Sequence, residues 1–193
     1  MNTLLLHCRP GFESEVCSEI SEVATRHEIA GYAKAKPNSA FAEFICTEPE
    51  GAQRLMRAQR FAKLIFPRQW ARGAFIELPE KDRISVLLAC MADFPACGSL
   101  WLEVLDTNDG KELSKFCKMF EAPLRKALLK AGKLVDDPLK PRLLLTFKSG
   151  REVFLGLAES NNCAMWPMGI ARLKFPREAP SRSTLKLEEA WHH

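Results

Sequence analysis

One short run near the end of the sequence, Ser181-Arg182-Ser183-Thr184-Leu185-Lys186, has the residue types and spacing to do chemistry. Pro180 biases Ala179 toward an extended backbone, and the hydroxyls of Ser181, Ser183 and Thr184 can each accept an orphan amide of a first helical turn. Leu187, Ala190 and Trp191 then share one face at i, i+3 and i+4. Lys186 sits about 100° to the side of that face, so its ammonium points along a groove rather than into a core. A lysine held this way can lower the pKa of a neighbouring hydroxyl or hold a phosphate. Taken alone, a serine-rich cap beside a lysine reads first as a solvated helix start.

A second constellation is basic. Asp109 with Glu112 three residues on has capping-box spacing, and apolar residues follow at helical intervals. Leu113, Phe116, Phe120, Leu124, Ala127 and Leu128 gather on one side of the wheel. Lys111, Lys115, Lys118, Arg125, Lys126 and Lys133 gather on the other, provided the helical phase survives Pro123, which must kink the region or start a second helix. Glu121 is the one acid between Lys115 and Gly132, whereas a merely solvated face mixes signs for i, i+4 pairing. The hairpin tip Lys148-Ser149-Gly150-Arg151 adds two more cations. Candidate phosphate contacts are therefore Lys115, Lys118, Arg125, Lys126, Lys148, Arg151, Arg172 and Lys174.

Other chemistry fits poorly. Cys97 could be a nucleophile with His7 or His27 as its base, but no local signature surrounds the thiol, and His27 lies on the apolar stripe of a helix. Asp136-Asp137 and Glu188-Glu189 are adjacent in sequence, so the members of each pair diverge. No metal site is expected: the seven cysteines form no CxxC and suit a reducing compartment. The ten glycines nowhere make a GxGxxG-type loop.

These groups need a scaffold. Leu4–Cys8 reads as a buried strand, and Pro10-Gly11 turns into an amphipathic helix with Phe12, Val16, Ile20, Val23, Ala24 and His27 on one stripe. Two strands, 32–36 and 40–46, flank the turn Pro37-Asn38-Ser39. A helix over 50–60 and a strand over 64–70 complete a β-α-β-β-α-β order, which is ferredoxin-like. RNA-recognition domains share that order, but the aromatic signature of their third strand is absent. Phe41 and Phe44 are three apart, so they face opposite ways and read as core. Ala71-Arg72-Gly73 reads as a boundary. Beyond it come a strand over 75–78, a helix over 82–91, a strand over 100–105, the basic helical region, and a hairpin of strands 142–147 and 152–157. The fold class is α+β: a ferredoxin-like domain over residues 1–72, an α/β domain over 74–170, and a connector with a helix start over 171–193.

Charge is unevenly spread. Residues 1–110 carry 12 Lys and Arg against 15 Asp and Glu, and residues 111–193 carry 16 against 9. That asymmetry points to a polyanion met by the second half. The longest apolar runs fall well short of the ~20 residues of a membrane span, and the first residues lack the basic start of a signal peptide.

The tail run, with Met168-Gly169-Ile170-Ala171-Arg172-Leu173-Lys174-Phe175-Pro176 upstream and Cys8-Arg9-Pro10-Gly11-Phe12-Glu13 near the start, resembles the FtsJ/RrmJ-type ribose 2′-O-methyltransferases. More narrowly, it is similar to the bacterial members that act on large-subunit ribosomal RNA. The resemblance covers the whole chain. It implies that the α/β domain is THUMP-like and grips RNA. It also implies that Lys186 is the first lysine of a Lys-Asp-Lys-Glu catalytic tetrad and that Ser183 lies near the methyl donor. The implied activity of the longer enzyme is transfer of a methyl group from S-adenosylmethionine to a cytidine ribose of 23S ribosomal RNA. Only seven residues follow Lys186, and the exposed apolar Trp191 expects a partner surface, so the catalytic domain is expected to lie beyond this sequence. On that reading the chain alone is inactive and binds no cofactor. Its partner is 23S ribosomal RNA or an assembly intermediate, not DNA or a membrane, and it is a cytoplasmic monomer. The competing expectation is a protein-interaction or dimerisation module whose basic face is simply solvated.

Overall fold

The computed structural model describes residues 1–171 together with Leu173, Ser181, Leu185, Lys186 and Glu188. Its elements run β1 (Thr3–His7), α1 (Glu13–Arg26), β2 (Gly31–Ala35), β3 (Phe41–Cys46), α2 (Gly51–Ala58), β4 (Gln69–Glu77), α3 (Arg83–Cys90), β5 (Ser99–Val104), α4 (Asn108–Lys130), β6 (Arg142–Phe147) and β7 (Glu152–Ala158). The seven strands form one sheet in the order β2-β3-β1-β4-β7-β6-β5, antiparallel except for the parallel pair β5–β6.

The N-terminal elements form where the periodicity places them. In α1 the inward stripe Val16, Ile20, Val23 and Ala24 is buried, each large aliphatic contributing about 1.5–3 kcal/mol. Glu13 opens the helix with two jobs: one carboxylate oxygen accepts the Gly11 amide at 3.0 Å, the other the Ala40 amide at 2.8 Å. The acid thereby neutralises the positive helix end and pins the β2–β3 turn, where Ala40 sits at a φ of 64°.

Strand β4 differs from expectation. Residues 61–63 form a 3-10 turn, and the strands expected over 64–70 and 75–78 are one strand, Gln69–Glu77. The run Ala71-Arg72-Gly73, read as a boundary, lies within strand β4. Residues Gln69–Gly73 pair with β1, and Arg72–Glu77 pair with β7. The glycine of that boundary is there for close approach. Gly73 faces Gly156 across the ladder, and a Cβ on Gly73 would run into the Leu155 carbonyl oxygen and meet Gly156 Cα at 2.7 Å.

The second half shows two further differences. The cap of α4 is Thr107, whose hydroxyl accepts the Gly110 amide at 3.1 Å, two residues before the expected Asp109. Helix α4 also runs unbroken through Pro123. The proline is exposed, on the side where water can take the carbonyl it leaves unpaired.

Register fixes the two faces of the sheet. Leu6, Phe44, Trp70, Leu143, Leu145, Phe147 and Leu155 share one face, on which Phe116 of α4 meets Phe147 edge-on at 5.4 Å. Leu5, His7, Phe41, Gln69, Phe75, Phe154, Leu144, Thr146 and Glu103 share the other. This second face is strongly concave. His7 on β1 reaches Thr146 on β6 at 3.1 Å, although β4 and β7 lie between their strands.

Candidate nucleic-acid interface

The basic constellation resolves into paired and unpaired cations. Lys111, Lys115, Lys118, Lys126 and Lys130 of α4 are all exposed. By helical geometry they lie within about 120° of the circumference, along about 28 Å of axis. Among the described residues none of the five has an acidic partner. Met119 and Leu129 stand exposed on the same ridge. The opposite stripe is inward as expected: Leu124 and Leu128 are fully buried, and Phe116 and Phe120 stack at 5.3 Å.

The other candidate contacts behave differently. Arg125 is half-buried; it bridges Glu121 at 2.9 Å and donates to the Leu100 carbonyl at 3.4 Å. Lys148 bridges Glu152 at 2.7 Å, and Arg151 pairs with Glu80. Lys133 is spent on the carbonyls of Ala92 and Phe94. Lys186 is exposed and helical. Arg172, Lys174, Ser183 and Trp191 lie outside the described residues.

The concave face, on the side of the sheet away from α4, carries a buried polar cluster that the sequence did not reveal. Glu103 on β5 is enclosed and accepts from the Met168 amide at 2.6 Å and from Thr146 Oγ1 at 3.3 Å, while His7 Nε2 stands 3.4 Å from its carboxylate. A threonine hydroxyl has one proton; spending it on Glu103 leaves Oγ1 to accept from His7 Nε2–H. Burial pushes His7 down to about 4 and Glu103 up to about 7, because a charged form cannot be solvated there.

The segment after β7 is tied down beside this cluster. Asn162 accepts from the Phe61 amide at 2.7 Å and donates to the carbonyls of Met56 at 2.6 Å and Gln59 at 2.9 Å. Its own carbonyl accepts from Trp70 Nε1 at 2.6 Å. Two residues on, the Ala164 amide donates to Gln69 and its carbonyl accepts from Arg142. The segment 160–164 is thus fastened to both halves of the sheet.

Cysteine catalysis finds no support in this geometry. Cys97 is buried, its thiol pushed up to about 11 by desolvation and bonded to the Pro95 carbonyl, while His7 is engaged elsewhere. No cluster of three or more metal-ligating side chains occurs among the described residues. Among the described residues, β5 is followed by Leu105-Asp106-Thr107-Asn108-Asp109 and β6 by Lys148-Ser149-Gly150-Arg151, neither a GxGxxG-type turn.

The fold defines a class: an α+β protein with a ferredoxin-like first half and an α/β second half sharing one sheet. Residues 1–71 match the family model described as RlmM ferredoxin-like domain, and residues 82–159 match that of the N-terminal part of ribosomal RNA large subunit methyltransferase M. The chain belongs to that family. It is 80% identical over 193 residues to the ribosomal RNA large subunit methyltransferase M of Pseudomonas syringae pv. syringae (strain B728a), covering 100% of this chain and 54% of that protein. It is 76% identical to the protein of the same name from Ectopseudomonas mendocina (strain ymp), again over the whole chain and 55% of the relative. The chain therefore spans about half the length of the curated relatives it matches. Among solved structures, TrmN from Thermus thermophilus is similar at 20% identity, over 80% of this chain and 44% of that one, with a TM-score of 0.43.

Proposed function

We propose that the chain is the RNA-gripping portion of an S-adenosylmethionine-dependent methyltransferase that modifies a cytidine ribose 2′-oxygen of 23S ribosomal RNA in the bacterial cytoplasm. Residues 1–72 and 74–170 act as its ferredoxin-like and THUMP-like units. Residues 171–193 lead toward the catalytic part, where Lys186 serves as the first lysine of the tetrad and Ser183 borders the donor. The protein works as a monomer on ribosomal RNA or an assembly intermediate.

One observation carries the RNA reading: a helix face of five exposed lysines without an acidic partner among the described residues. Fixed cations of this kind release condensed counterions when they meet phosphates, so affinity falls with salt. Titration of the chain with a 23S ribosomal RNA fragment tests this. About four phosphate contacts give a log–log salt slope of about −3, and Lys115→Glu with Lys118→Glu flattens it. Affinity independent of salt refutes the reading.

A second reading has its own observation. The exposed Met119 and Leu129 on the same ridge suit a protein partner or a second copy. Sedimentation that shows concentration-dependent self-association, unchanged by RNA, favours it.

A further inference from the structure

The parallel pair β5–β6 with the crossover helix α4 is a βαβ unit, and ligands of such units gather at the carboxyl ends of the strands. In this protein those ends do not meet open solvent. The carboxyl end of β5 leads through Leu105 into the first turn of α4, and that of β6 leads to Lys148. Both border a groove of about 850 Å³ whose far wall is the β2–β3 hairpin of the ferredoxin-like half.

The floor of the groove is aromatic. Phe41 and Phe75 stand on the concave face with ring centroids 5.9 Å apart, and Phe75 is braced edge-on by Phe154 at 5.2 Å. The rim is polar. Lys148 Nζ stands 5.2 Å over the Phe75 ring, Lys36 is exposed on the opposite lip without an acidic partner among the described residues, and Asn108 offers an amide. Glu43, Glu152 and Asp109 also line it. The carboxylates balance the lysines, so the groove does not suit a polyphosphate. Asp109 in the first turn cancels the attraction of the helix end for an anion. What remains is the partly exposed Phe75 ring beside the largely buried Phe41, their planes tilted by 57°, amide and carboxylate groups at the edge, and Lys36 as a cation without an acidic partner among the described residues. That combination fits one unpaired nucleobase with a single phosphate: aromatic faces stack bases whatever their identity, and edge groups read them. Lys111 lies one turn along α4 from Asn108, so the groove is continuous with the lysine ridge.

We infer that the groove between the β2–β3 hairpin and the N-terminal turn of α4 receives one unpaired nucleotide of an RNA whose backbone lies on the α4 ridge. This rests on the RNA reading of the ridge for its partner, but the groove can be tested separately.

The experiment is an NMR titration of the whole 193-residue chain with adenosine 5′-monophosphate, with inorganic phosphate as control. A short single-stranded oligoribonucleotide follows. The nucleotide should shift Lys36, Phe41 and Phe75 resonances saturably while phosphate leaves the two phenylalanines unmoved. Lys36→Glu should weaken nucleotide binding about fivefold, the scale of one exposed charge contact, with an unchanged melting temperature. Lys118→Glu should weaken the oligonucleotide and leave the mononucleotide unaffected. Shifts confined to α4, with RNA still bound, overturn the groove and leave the ridge standing. Nucleotide in the groove without any RNA affinity on α4 upholds the groove as a nucleotide site and overturns the ridge.

Discussion

His7 Nε2 and the Glu103 carboxylate lie 3.4 Å apart, both enclosed, on strands that are not neighbours in the sheet. His7 ionises at 6.5 when unfolded and near 4 in the fold, so its contribution to stability is lost as pH falls from 6.5 toward 4. Glu103 gives up its proton at 4.5 when unfolded and near 7 in the fold, so its contribution is lost as pH rises from 4.5 through about 7. Between 4.5 and 6.5 the two trends oppose each other. In Glu103→Gln only the histidine remains, and relative to the parent the variant's stability should climb from pH 4 to 6.5, by at most on the order of 3 kcal/mol. Urea unfolding at stepped pH reads this directly; parallel profiles would refute it.

Asn162 should matter more than a connector residue usually does. Asn162→Ala removes three side-chain hydrogen bonds to the N-terminal half and leaves a partly buried amide and two carbonyls unpaired, at about 2–3 kcal/mol. Limited proteolysis within residues 160–171 should quicken while cleavage at the β6–β7 hairpin stays as in the parent. Equal protection of the connector in both proteins counts against this account.

Gly73→Ala should be among the most damaging single changes. The added methyl strikes backbone of β7 rather than a movable side chain, so the ladder must open at the point where the halves join. A loss of about 3 kcal/mol or more is expected. Thermal unfolding of Gly73→Ala beside Gly132→Ala checks it. A methyl at Gly132 meets nothing within 4 Å, so that control carries only the strain of its positive φ.

The candidate RNA contacts should not be equal. Lys118→Ala removes a surface cation without an acidic partner among the described residues and should lower RNA affinity with little change in stability. Arg125→Ala breaks the bonds to Glu121 and Leu100 and should lower stability by about 1 kcal/mol while costing less RNA affinity. Binding and unfolding measured on the same two variants decide the matter; the reverse ranking would contradict the assignment of the ridge.

Much of this was legible in the sequence because the signals are local. The stripe Val16, Ile20, Val23 and Ala24 fixes α1, and the hairpin tip 148–151 fixes the β6–β7 pairing. What escaped is non-local. Gly73 reads as part of a boundary, and its true reason, Leu155 and Gly156, lies over eighty residues away. Nothing near Glu103 distinguishes it from a solvated acid; its partners come from β1, β6 and the segment around Met168. Thr107 as the cap was within reach, since Gly110 three residues on fits the close turn, but the charged pair Asp109 and Glu112 outweighed it. The groove was missed for the same reason. Phe41 reads as core and Phe75 only as the start of a strand, and only the curl of the sheet sets them on one floor with Lys36 and Lys148 above it.

Strand β4 pairs with β1 along its first residues and with β7 along its last. Exchanging either portion between relatives as a cassette, with the seam at residue 72, would leave each piece ending in half a strand and a raw row of unsatisfied amides. Such chimaeras should precipitate unless the seam moves past Glu77, into the turn that follows.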